Sequence, residues 1–181
     1  MTEMGENESY AERFAGSSEQ AKNAWEATIQ DMKGMAAELE EGGWSTTAIA
    51  AVDTAPNSPE VGNPDRFGFV YVIPDNFADQ FVDVFDRGHE EGGEFQEYEV
   101  YRSEVGEHVF QVTVLYDEPT ANAILLAGSY ELINAQDLMR AALDQGAMFT
   151  HVQTLDQTAL GSFQHEGWEH FFPNARQRLD E

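Results

Sequence analysis

Residues 95–116 constrain the fold more than any other stretch of the chain. Phe110, Val112, Val114 and Tyr116 occupy every second position, which is the period of a β-strand with one buried face. Phe95 to Ser103 precedes them as a second extended run, and Val105-Gly106 sits between the two as a tight turn. The pattern predicts a hairpin of strands 95–103 and 108–116.

Other segments fall in around that hairpin. Ala21, Trp25, Thr28, Ile29, Met32, Met35, Ala36 and Leu39 recur at three- and four-residue steps, so they make one apolar stripe of a long helix. Ser17-Ser18-Glu19-Gln20 has the form of a capping box at its start, and Gly42-Gly43 ends it. Trp44 to Thr54 reads as a small-residue strand. Residues 55–64 carry three prolines and read as a loop. Phe67 to Ile73 is almost wholly apolar and reads as a strand covered on both faces.

Pro74-Asp75 stops that strand and caps a helix in which Phe77, Phe81 and Phe85 line one side, closed by Gly88. An acidic loop with Gly92-Gly93 leads into the hairpin. Ala123 to Tyr130 is a further strand, Asn134 caps a third helix ended by Gly146, and Met148–Leu155 and Leu160–His165 form a last hairpin. The expected fold is α+β, in the order α-ββ-α-βββ-α-ββ. It has one mostly antiparallel sheet of six to seven strands with three helices on one face. A ββαβ duplication, 44–103 repeated as 108–155, is compatible with this order. Residues 1–16 are read as an acidic arm, 17–173 as the domain and 174–181 as a polar tail.

The charge balance is extreme: 34 Asp plus Glu against 9 Lys plus Arg, a net of −25. A basic partner or nucleic-acid mimicry would call for acids gathered on one face. Here they are spread, with ten acids and three bases in residues 1–44 and eleven and two in 75–107. At molar salt the Debye length is only ~3 Å, so such self-repulsion is quenched. Dense carboxylates would hold water and monovalent cations and keep the chain dispersed. Lys/Arg patches for phosphate binding are lacking, which speaks against nucleic acid. There is no cysteine, which removes disulfides and thiol chemistry. No signal peptide or run of ~20 apolar residues is evident, so a soluble cytoplasmic protein off the membrane is expected.

Candidate chemistry is sparse. His165 and His170 are five apart, whereas a zinc helix needs four, so no metal is assigned. His151 and His165 could face each other if the last turn centres near Gln157-Thr158, as a ligand pair or proton shuttle. Ser162 is a strand serine without a nucleophile elbow. No phosphate-binding glycine loop or cofactor fingerprint occurs. Arg102, on a strand with Tyr98 and Tyr101, suits either an anion or a cross-strand ion pair. Tyr71, Tyr98, Tyr101, Tyr116 and Tyr130 suit a pocket or an interface. Trp168-Glu169-His170-Phe171-Phe172-Pro173 suits a lid on the sheet or an exposed docking motif.

Several stretches together resemble an uncharacterised haloarchaeal family, a domain of unknown function. They are Trp25-Glu26 to Gly43-Trp44, Tyr98-Glu99-Val100-Tyr101-Arg102, Thr150-His151-Val152 and Phe171-Phe172-Pro173. The resemblance covers about residues 20–175, implies a halophilic source and supplies no site.

Two functions compete. One is a non-enzymatic binding or regulatory protein that engages a protein partner, or a second copy of itself, through the tyrosine-bearing face or the aromatic segment (Tyr101, Arg102, Trp168, Phe171). The other is a small-molecule-binding protein or enzyme with Arg102, His151 and His165 around one sheet pocket. No cofactor is expected in either. The charge argument makes a measurable statement of its own. Circular dichroism should show the fold loosening as salt falls below roughly 0.5 M, where screening weakens; full structure in dilute buffer would overturn the halophile reading.

Overall fold

A computed structural model describes residues 19–61, 64–90, 95 and 97–180. The 1–16 arm, Ser17-Ser18 of the capping box, Gly62-Asn63 and the 91–94 loop with Gly92-Gly93 lie outside the described residues. Helix α1 (Glu19–Glu41) buries Ala21, Trp25, Thr28, Met32 and Ala36, the stripe expected from their spacing. Gly43 at φ 95° folds the chain back on the helix end, where the Trp44 N–H donates to the Leu39 carbonyl at 3.0 Å.

The strands build two mixed four-stranded sheets, not one antiparallel sheet. In the first, β1 (Ser45–Ala50) runs parallel to β6 (Asn122–Glu131). β6 pairs antiparallel with β5 (His108–Asp117), and β5 with β4 (Glu97–Val105). In the second, β2 (Asp53–Asn57) pairs antiparallel with β3 (Gly68–Val72), β3 parallel with β7 (Met148–Gln153), and β7 antiparallel with β8 (Ala159–His165).

The cause lies at Ala51-Val52. Trp44–Thr54 is not one strand but the whole of β1 and the start of β2, and the chain changes sheets between them. The Ala51 N–H donates to Ala127 of the first sheet at 2.9 Å, and the next N–H, that of Val52, to Val72 of the second at 2.8 Å. Ala55, Pro56 and Asn57, expected in a loop, belong to β2. That strand is an edge, where a proline without an N–H is tolerated.

Layers follow from the alternation along β5 and β6. Phe110, Val112, Val114, Ala123, Leu125 and Ala127 pack under α1. The opposite residues, among them Val109, Leu115, Ile124 and Leu126, join Phe69, Tyr71 and Val152 of the second sheet in the main core. Helix α2 (Ala78–Glu90) brings Phe81 and Phe85 onto Phe163 of β8, at 6.3 and 5.3 Å between ring centroids. Helix α3 (Gln136–Gln145) adds Leu138, Met139 and Ala142.

Several local expectations shift. Helix α2 passes through Gly88 to Glu90. Pro74-Asp75 opens a 3-10 turn (Asp75–Phe77) and Asn134 lies inside another (Leu132–Ala135) rather than capping α3, whose start at Ala135 has no side-chain capping bond. Residues 175–180, expected as tail, form α4 (Ala175–Asp180), which packs on α3. The two supposed repeats pair differently, since β4 joins β5 antiparallel and β7 joins β3 parallel.

The two sheets approach closely at Gly128. A Cβ there would lie 2.2 Å from Thr54 Oγ1 and 2.6 Å from Tyr71 Cε1. Gly34, by contrast, faces open space from within α1. Chemical denaturation should therefore give the two alanine variants opposite signs. Gly128→Ala should lose about 1–3 kcal/mol through overpacking, and Gly34→Ala should gain up to about 1 kcal/mol from helix propensity.

Candidate functional site

The helices pack on the first sheet or against inward-facing residues of the core. The outward side of the second sheet is left half-exposed. Alternation sends Ala55 and Asn57 of β2, Val70 of β3, Phe149 and His151 of β7, and Ser162 of β8 to that side. A cavity of about 260 Å³ lies on it. Asn57, Arg66, His151, Gln153 and Ser162 supply its polar lining, and among the described residues none that lines it is acidic.

His151 is held on three sides. Its Nε2 lies 2.6 Å from the Arg66 carbonyl, which can only accept, so Nε2 carries the proton. Nδ1 is then the acceptor, and the Ser162 hydroxyl donates to it at 2.7 Å. Strand pairing puts the two residues directly opposite each other. Phe149 stacks on the imidazole at 5.5 Å with 4° between planes, and the Arg66 guanidinium lies 5.1 Å over the other ring's centroid. Burial lowers the His151 pKa, the Arg66 carbonyl bond opposes that, and the Arg66 charge adds to the lowering. The ring is therefore a neutral base at neutral pH, oriented by a fixed acceptor.

The other residues singled out from sequence do not join this site. His151 lies opposite Ser162 and His165 opposite Met148. The two histidines therefore occupy opposite faces of the sheet and share no pocket. His165 points into the core, 1% exposed. It shares a 2.7 Å hydrogen bond with Thr150 Oγ1 through Nε2 and leaves Nδ1 without a partner. Tyr98 and Phe171 flank its ring at 4.2 and 4.9 Å.

Arg102 is paired with Glu104, two residues along its own strand, at 3.1 Å, and Arg178 of α4 reaches the same carboxylate at 2.6 Å. Burial alone would raise the Glu104 pKa, but the two guanidiniums hold it below the usual carboxylate range. The tyrosines divide. Tyr71 and Tyr130 are buried, Tyr98 donates to the Gly167 carbonyl, and Tyr101 stands exposed with its hydroxyl on the Glu99 carboxylate. That bond comes first among the causes that push the Tyr101 pKa up to about 12. Trp168 and Phe171 are buried, Phe171 lying 5.6 Å from Phe69. The large aromatic side chains of the segment, Trp168, Phe171 and Phe172, are thus part of the core, while Glu169, His170 and Pro173 are exposed.

Sequence reasoning set Ser162 aside as a strand serine and did not single out Arg66. No local motif marks either; only the register of the last hairpin brings Ser162 opposite His151.

His165 makes a pH prediction. Burial holds its pKa at about 3, against 6.5 ordinarily. The unfolded chain therefore takes up a proton below pH 6.5 that the folded ring refuses until about pH 3. Stability is lost as pH falls through this window, by about 1.4 kcal/mol per unit. Denaturation at pH 7 and pH 5 should show wild type losing roughly 2 kcal/mol more than His165→Gln; equal losses would place the linkage elsewhere.

Among the described residues no helix is long and apolar enough to cross a membrane. No curated protein and no solved structure matches the chain. The profile of a family of unknown function, DUF7529, matches residues 11–173, and the chain belongs to that family.

Proposed function

We propose that this chain is a binding protein for a small anionic molecule, a short-chain carboxylate, which it takes in the cavity on the outward side of the second sheet. The observation that carries this reading is the lining: among the described residues Arg66 is present and no Asp or Glu is, in a chain of net charge −25. An arginine fork matches a carboxylate with two parallel hydrogen bonds. Asn57, Gln153 and Ser162 add neutral polar groups around it. The volume of about 260 Å³ falls just below the range for drug-sized ligands, which favours a molecule of a few carbons.

The halophile reading belongs to the same proposal. In dilute buffer the net charge would repel an anion; at molar salt that repulsion is screened within ~3 Å and the local arginine governs. A haloarchaeal, cytoplasmic setting with cations held at the acidic surface supplies that salt.

A protein partner is less well supported. Among the described residues, exposed large apolar side chains are scattered singly, at Val61, Tyr101, Ile133 and Leu155, and do not make the contiguous patch that marks an interface.

Titration with butyrate in molar potassium chloride, followed by NMR, tests the proposal. Saturable shifts should appear at His151 and Gln153 and should vanish in Arg66→Gln. Shifts that rise linearly without saturating, or that survive in the variant, would sink it.

A further inference from the structure

The geometry points to an activity at this cavity: we infer that Ser162 is a nucleophile with His151 as its general base, acting on small esters whose acyl group carries a carboxylate. The inference rests on the proposed anion pocket and names the chemistry done there.

Nucleophilic catalysis by serine needs a base within hydrogen-bond reach, and the base needs a third group that fixes its tautomer and plane. All three are present. The Ser162 hydroxyl donates to His151 Nδ1 at 2.7 Å, and His151 Nε2 donates to the Arg66 carbonyl at 2.6 Å. A backbone carbonyl stands where the orienting carboxylate of a catalytic triad stands. Phe149, stacked at 5.5 Å, holds the ring plane. The burial that keeps His151 neutral leaves Nδ1 free to accept a proton. Strand β8 is an edge of its sheet, so alternate N–H groups along it have no strand partner. The Phe149 N–H donates to the Phe67 carbonyl just ahead of β3, so alternation turns Thr150 and Val152 toward Phe163 and Gly161. The Ser162 N–H is thereby left on the open edge as the available donor for a developing oxyanion. Arg66 meets the substrate's carboxylate.

The step balances within these groups. Ser162 Oγ bonds to the acyl carbon as the carbon–oxygen bond to the alcohol breaks. The hydroxyl proton moves to Nδ1, and the transient imidazolium keeps its other proton on Nε2, donated to the Arg66 carbonyl. The Nδ1 proton then passes to the departing alkoxide, which leaves as the alcohol. Water repeats the sequence in reverse and releases the carboxylic acid and free Ser162.

A fluorophosphonate tests the nucleophile directly, because serine displaces its fluoride and keeps the phosphonyl group. Full-length protein in molar potassium chloride should gain one adduct, mapped by mass spectrometry to Ser162. The adduct should be absent from Ser162→Ala and should form about a hundredfold more slowly in His151→Gln. Butyrate should protect. Circular dichroism of both variants, matched to wild type, separates lost chemistry from lost folding. No adduct at Ser162 in the wild type, or an unchanged rate in folded His151→Gln, would overturn the inference. Saturable butyrate binding in that same sample would leave the pocket reading standing. Labelling of Ser162 that butyrate does not slow would overturn the carboxylate-bearing substrate class.

Discussion

The arrangement depends on burying β5 and β6 on both faces. A strand covered twice must place its polar residues in the core, and each then needs a partner. Gln111 and Thr113 find theirs in one group. The Tyr71 hydroxyl of the facing sheet lies 2.9 Å from Thr113 Oγ1 and accepts from Gln111 Nε2 at 2.8 Å. Burial drives the Tyr71 pKa far up, so the phenol stays a neutral hydrogen-bonding group between the sheets. Gly128 lets the backbones come close enough for this contact. Once the second sheet lies on the first, its inner side is spent, and α1 already occupies the first sheet's outer side. The outward side of the second sheet is what remains.

Much of this fold was legible. The α1 stripe and the 108–116 alternation rest on periodicity, which depends on burial of one face and survives in a single sequence. What was hidden is the second cover on β5. Gln111 and Thr113 are polar residues at alternate positions, the pattern of a strand facing water. Only a distant tyrosine makes their burial tolerable. The sheet switch was hidden for a related reason. Ala51 and Val52 carry no breaker residue, and the small side chains around them let the chain pass from one layer to the next without a loop.

The candidate site was half legible. His151 stood out by type, but its partner depended on the turn of the last hairpin. A turn centred near Gln157-Thr158 puts His165 across from His151. The observed turn, with the Thr154 N–H on the Thr158 carbonyl at 3.1 Å, and the irregularity at Val152/Gln153 put Ser162 there instead. The slip is three places, an odd number, and an odd slip sends every side chain to the other face. Register of that kind is set by tertiary packing of Phe163 against Phe81 and Phe85, contacts between segments about 80 residues apart. Trp168 and Phe171 carried a clear signal, large aromatics in a short run, that fits core and interface equally.

The two histidines of this hairpin bring out how environment separates one residue type into two roles. Both are neutral, and burial is the main cause in each. His165 is sealed between Tyr98 and Phe171 with one nitrogen unpartnered, so its proton affinity is a burden on folding and reaches no ligand. His151 has both nitrogens engaged and stands on the half-exposed face. A proton it takes up can be passed on, because the Arg66 carbonyl steadies the charged ring and the cavity opens beside it. Shift β8 by one residue against β7, and the same sequence would carry a buried serine and leave His151 Nδ1 without its hydroxyl donor. The chemistry available to this chain is therefore a consequence of hairpin register, which the packing of α2 on β8 enforces.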